Sequence, residues 1–178
     1  VVTSRLVTTA SFLDYSAWYH VVYAFDTTQV TATDRQRLYI NGTEITSFTT
    51  QTSPAQNDTS IINEAGREHY LSDPASSFSF DGYMAEVHFV DGSALAASDF
   101  GQYDSNNVWQ PKAYSGTYGT NGWYLDFSDA TNTTTIGEDS SGNSNDWTSS
   151  GISVAAGTGN DSVFDSPKDG TQTDSGAG

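Results

Sequence analysis

The stretch "SAWYHVVYAFD", residues 16–26, decides the fold. It holds no Gly or Pro and is built of aromatic and β-branched residues, which fit a pleated surface better than a helix. On an extended chain Trp18, His20, Val22 and Ala24 point one way. Tyr19, Val21, Tyr23 and Phe25 point the other. Both faces are apolar, so the spacing predicts a strand lying centrally between two layers. Trp18 belongs to the core on this reading, and His20 is a hydrogen-bonded core histidine.

Working outward, "RLYINGTEIT" (37–46) reads as a hairpin turning at Asn41-Gly42, a pair that tolerates the positive φ angles of a type I′ turn. "FDGYMAEVHFVDG" (80–92) reads as a strand, with Ala85, Val87 and Phe89 alternating against Met84, Glu86 and His88. "GWYLDFSD" (122–129) reads as another, with Trp123, Leu125 and Phe127 on its core face. The one helical signal is "SALAASDFG" (93–101), a short turn around 94–99 capped by Ser93 or Ser98 and ended by Gly101. The fold class expected is therefore all-β, an antiparallel sandwich.

Composition agrees. Of 178 residues only 35% are apolar, but 13% are aromatic, so a few large rings supply most of the buried area. There is no Cys, which removes disulfides, thiolate metal sites and a Cys nucleophile. No apolar run approaches the roughly 20 residues that span a bilayer, and no basic-then-apolar leader opens the chain. The net charge is −16, with six Lys or Arg. Phosphate-backbone binding and attraction to anionic lipid are both disfavoured, so neither nucleic acid nor membrane insertion is expected. The segment 166–178, "SPKDGTQTDSGAG", reads as a linker or disordered tail after a domain covering 1–165.

The sequence raises three kinds of chemistry. A retaining glycosidase needs two carboxyl groups about 5–5.5 Å apart. The best strand offers Glu86 alone, and His20, His69 and His88 lack a motif context, so no catalytic residue is expected. A cation site is suggested by "IGEDSSGNSNDW" (136–147), where Asp139, Asn143, Asn145 and Asp146 crowd around Gly142. Ca²⁺ takes six to eight oxygens from such groups. The same residues also suit an Asx-rich turn that satisfies its own backbone. A sugar site is suggested by Trp109, Tyr114, Tyr118 and Asn121, rings and short polar groups in loop sequence. A pyranose stacks its apolar face on such rings; the same rings can equally plug the ends of a sandwich.

The Trp-His strand, the "LYINGTEI" hairpin and the late "GYMAEVHFVDG" strand with its small helical turn resemble laminin-G-like, concanavalin-A-like jelly rolls. "DSSGNSND" is similar to a loop of those domains. The order of "WYHVVYAFD", "RLYINGTEI", "AEVHFVDG", "GTYGTNGWYLDFSD" and "DSSGNSNDWT" resembles a lectin module of tailed-phage tail fibres, especially from marine phages. The resemblance implies a jelly roll, read here as a truncated module of a longer fibre. It also implies a Ca²⁺ held by the 139–146 loop, though Ala85 stands where many relatives carry Asp. By the same resemblance the domain is a non-catalytic lectin-like module contacting host-surface glycans, alongside other fibre subunits, at the virion surface or in the extracellular space. The competing expectation is a fibre spacer that binds no sugar.

Overall fold

The computed structural model describes residues 4–59, 62, 64, 68–71, 80, 82–129, 131–155 and 161. The predicted tail at 166–178 lies outside the described residues. Among the described residues nine strands run β1 (Arg5–Thr8), β2 (Val21–Phe25), β3 (Gln36–Ile40), β4 (Thr43–Ile45), β5 (Phe48–Thr52), β6 (Val87–Phe89), β7 (Gly101–Tyr103), β8 (Trp109–Pro111) and β9 (Trp123–Leu125). They pair antiparallel as β1-β5, β2-β3-β4, β6-β9 and β7-β8. Among the described residues the helix is one turn, α1 (Ala97–Phe100), with two 3-10 turns at Ala32–Arg35 and Thr135–Gly137. The fold is an all-β antiparallel sandwich, and no helix among the described residues is long and apolar enough to cross a membrane.

The hairpin forms as its sequence dictates. Asn41 and Gly42 take φ of 47° and 78°, and Leu38, Tyr39 and Ile40 pair with Ile45, Glu44 and Thr43. The opening stretch differs from expectation. Asp14 turns the chain by accepting the backbone N–H and hydroxyl of Ser16, so extended pairing begins only at Val21. β2 is the outer strand of its described sheet, with Val21 and Tyr23 exposed and Trp18 41% exposed rather than in the core. His20 is half-buried; its Nδ1 has no partner among the described residues, and its backbone makes the hydrogen bonds instead, to Asn41.

The late strands are shorter than predicted, for a backbone reason. Glu86 and Phe127 both take φ of 53°, a left-handed conformation uncommon for such side chains, and both lie beyond the Val87–Leu125 end of the ladder, where pairing stops. The helical turn begins at Ala97. The Asp99 carboxylate accepts the Ala96 N–H at 2.8 Å, so capping comes from Asp99 and neither predicted serine supplies it. Trp123 is half-buried, stacked on Phe89 and edge-on to Trp147.

The buried apolar centre is Ala97, Phe100, Leu125 and Ile136. Arg35 is a buried cation. Arg35 donates to the carbonyls of Gln29, Val30 and Pro54, tying the 27–31 turn to the 53–58 turn. Its neighbour Gln36, also buried, donates to Thr52 and accepts from the Tyr23 hydroxyl, linking β3 to β5 and β2.

Candidate functional site

Strand alternation places Arg37 and Tyr39 on one face of β3. The segment 94–96 lies against that face and leaves two open clefts. One, of about 270 Å³, is lined by Asp26, Gln29, Asp34 and Arg37. The other, of about 390 Å³, is lined by Gly42, Gly101, Tyr103, Trp109 and Lys112. Tyr39 and Ala96 line both, so the clefts are neighbours across these two residues, a polar arm and an aromatic arm of one grooved face.

Trp109 is placed by two glycines. A Cβ on Gly42 would stand 2.2 Å from its ring and one on Gly101 2.4 Å, so only bare backbone lets the indole lie down there. Tyr103 meets the ring edge-on at 5.0 Å, and His20 lies 5.7 Å away on the inner side. The indole Nε1 and the His20 Nδ1 are both buried without a partner among the described residues. Burial lowers the pKa of His20, which keeps it neutral at pH 7.

In the polar arm, Asp26 accepts the N–H and hydroxyl of Thr28 and the amide of Gln29. Hydrogen bonds from Gln29 and then Thr28 hold its carboxyl below the usual range. Arg37 is shared between Asp34 at 3.3 Å and Glu44 at 3.7 Å, all three half-exposed.

The other predicted sugar residues are built into the protein. Tyr114 stacks on Phe100 at 5.0 Å, meets Tyr118 edge-on at 5.1 Å, and donates its hydroxyl to Thr117. The Tyr118 hydroxyl pairs with His88 Nδ1 at 2.8 Å. His88 lies parallel to Tyr124 at 4.2 Å, and the Tyr124 hydroxyl bonds Glu86. Burial, with Tyr114, Glu86 and Asp139 nearby, pushes the Tyr118 phenol up to about 12. Burial and the bond to Glu86 also push Tyr124 upward. Asn121 donates through its backbone N–H and side-chain amide to Asp91. The structure thus brings Tyr114 and Tyr118 together and sets Trp109 among different neighbours.

The 139–146 loop is a hydrogen-bond hub. Asp139 Oδ1 accepts the N–H groups of Tyr124 and Ser141, and Oδ2 accepts the Asn145 N–H and the Ser141 hydroxyl, at 2.8–2.9 Å. Burial raises its pKa, but the bonds from Tyr124, Asn145 and Ser141 outweigh that and hold it below the usual range. Asn143 donates to the carbonyls of Gly119 and Gly122, Asn145 to those of Thr120 and Gly122, and Asp146 accepts the Asp139 N–H. A carboxylate offers about four acceptor positions, and Asp139 fills four. No group of three or more His, Asp or Glu suited to a metal occurs among the described residues. A Ca²⁺ at Asp139 would have to displace its donors.

Sequence reasoning missed Asp26, Asp34, Arg37 and Tyr39. The alternation of Arg37 and Tyr39 in the hairpin was the available signal; what lay opposite them was not.

An antiparallel β-sandwich with an aromatic groove on one sheet face is the class of protein these observations define. Residues 2–99, more than half of the chain, match the family model described as the concanavalin A-like lectin/glucanases superfamily, and the chain belongs to that family. No curated protein and no solved structure matches it.

Proposed function

We propose that this domain is a non-catalytic, lectin-like module that binds carbohydrate in the groove beside Trp109. The observation that carries this reading is the indole laid over Gly42 and Gly101 at a groove edge, with polar side chains along the adjoining arm. A ring face offers a pyranose its stacking platform, and Asp, Gln and Arg groups pair with hydroxyls. Membership of a superfamily that includes lectins supports it. We place the module on a phage tail fibre, contacting host-surface glycans, on the strength of the motif order in the sequence.

A glycan array tests the reading. The expected result is a family of bound glycans lost in Trp109→Ala and weakened in Tyr103→Ala, whose ring is half-exposed and whose removal spares the core. A folded protein that binds nothing would favour a fibre spacer. Hydrolysis is a third outcome with its own observation: Glu86 and Asp126 adjoin in sequence the terminal pair Val87–Leu125 of the ladder. Release of sugar from a polysaccharide, lost in Glu86→Gln, would replace the binding module with a glucanase.

A further inference from the structure

We infer that the groove accepts uncharged glycan chains and turns away carboxylated or sulfated ones. This rests on the carbohydrate reading and adds the class of sugar. A glycan chain that stacks on Trp109 and extends past Tyr39 and Ala96, which both clefts share, reaches the polar arm.

The charges there are already committed in one direction. Asp26 makes no ion pair among the described residues, and its hydrogen bonds from Gln29 and Thr28 keep it ionised. Arg37, the arm's cation, faces Asp34 and Glu44 together, so its charge is matched before any ligand arrives. The aromatic arm adds Lys112. Asp26 and Asp34 thus line the clefts against Arg37 and Lys112, and Glu44, outside the lining, stands 3.7 Å from Arg37, on a chain of net charge −16. Within the polar arm an incoming carboxylate or sulfate must sit near Asp26 or draw Arg37 from two partners, whereas a hydroxyl can donate to Asp34 and accept from Arg37 with the ion pairs intact. Like charge brought close both slows approach and weakens the docked state.

The test uses the full chain and an array of matched pairs, each a neutral oligosaccharide beside its C6-carboxylated or sulfated counterpart. At about 10 mM salt, where screening extends about 30 Å, the acidic member should bind at least about tenfold more weakly. Near 1 M, where screening falls to about 3 Å, the gap should narrow. Glu44→Gln, on the hairpin outside the lining, should raise binding of the acidic members and leave the neutral ones unchanged, and Asp26→Asn should narrow the gap between acidic and neutral members. Two results overturn the selectivity while the carbohydrate reading stands: acidic members bound as well as neutral ones, or a gap insensitive to salt and to both variants. Binding of no member overturns both.

Discussion

The groove at Trp109 and the loop at Asp139 are both rich in the residue types that make binding sites, yet their side chains are used differently. In the 136–147 loop every residue picked out by sequence bonds backbone: Asp139 takes four donors, Asn143 and Asn145 each donate to two carbonyls, and Asp146 takes another N–H. The loop is thereby stapled to residues 118–124. In the groove, Trp109 and Tyr103 contact each other and bare glycine backbone, and the polar arm opens to solvent. A dense polar motif can be fully occupied in holding the fold, while a sparser surface retains the freedom to bind.

The largest expected effect follows from removing the hub. Asp139→Ala strands two backbone donors from β9 and the loop, plus two more within the turn, and should cost about 3 kcal/mol or more, since bonds to charged groups contribute about 1.5–3 kcal/mol each and are only partly replaced by water. Urea unfolding measures it, and a loss below about 1 kcal/mol would break the contrast. The pH sign follows from the lowered carboxyl. The folded protein gains stability above the unfolded Asp value of about 3.9 and loses it as pH falls through the lower folded value, so Asp139→Asn should flatten the acid limb of stability. Equal melting with calcium and with chelator is expected of a filled hub; a rise of several degrees with calcium would show that a cation displaces the donors.

Arg35→Met should rank close behind, at about 2–3 kcal/mol, because a buried side chain is replaced and three carbonyls, that of Pro54 buried, lose their donor together. Thermal melting checks it, and glycan binding should weaken only through the movement of the 27–31 turn that borders the polar arm. Gly42→Ala sharpens the groove side. The left-handed φ of 78° makes it costly by about 1–2 kcal/mol, and its Cβ would lift Trp109 from its bed, so sugar binding should fall further than stability does. The smallest effect expected is Tyr118→Phe. It removes the bond to His88 for about 1 kcal/mol and should leave binding untouched, because the rings it belongs to are packed inward.

What the sequence disclosed depended on how local the cause was. The Asn41-Gly42 hairpin was legible because two adjacent residues dictate their own φ angles. The one-turn helix was legible in place, but its cap was misassigned because Asp99 reaches back to Ala96. The early end of β6 and β9 was illegible, since nothing in Glu86 or Phe127 announces a left-handed backbone that only the surroundings can hold. The same distinction governs the sites. The turn character of residues 139–146 was written in their composition, whereas the bed of Trp109 comes from Gly42 and Gly101, remote in sequence. Trp109 was named as a sugar residue from its loop, and its platform became visible only with the fold.

The account's central claim is that carbohydrate binds at Trp109 and that the Asp139 loop is structural. Amide and indole NMR shifts during titration with a neutral oligosaccharide drawn from the array test it most directly. The indole N–H of Trp109 and the amides of Gly42, Gly101 and Tyr39 should move, while those of Ser141, Asn143 and Asn145 stay in place. Shifts confined to residues 118–124 and 139–147, with Trp109 silent, would contradict it.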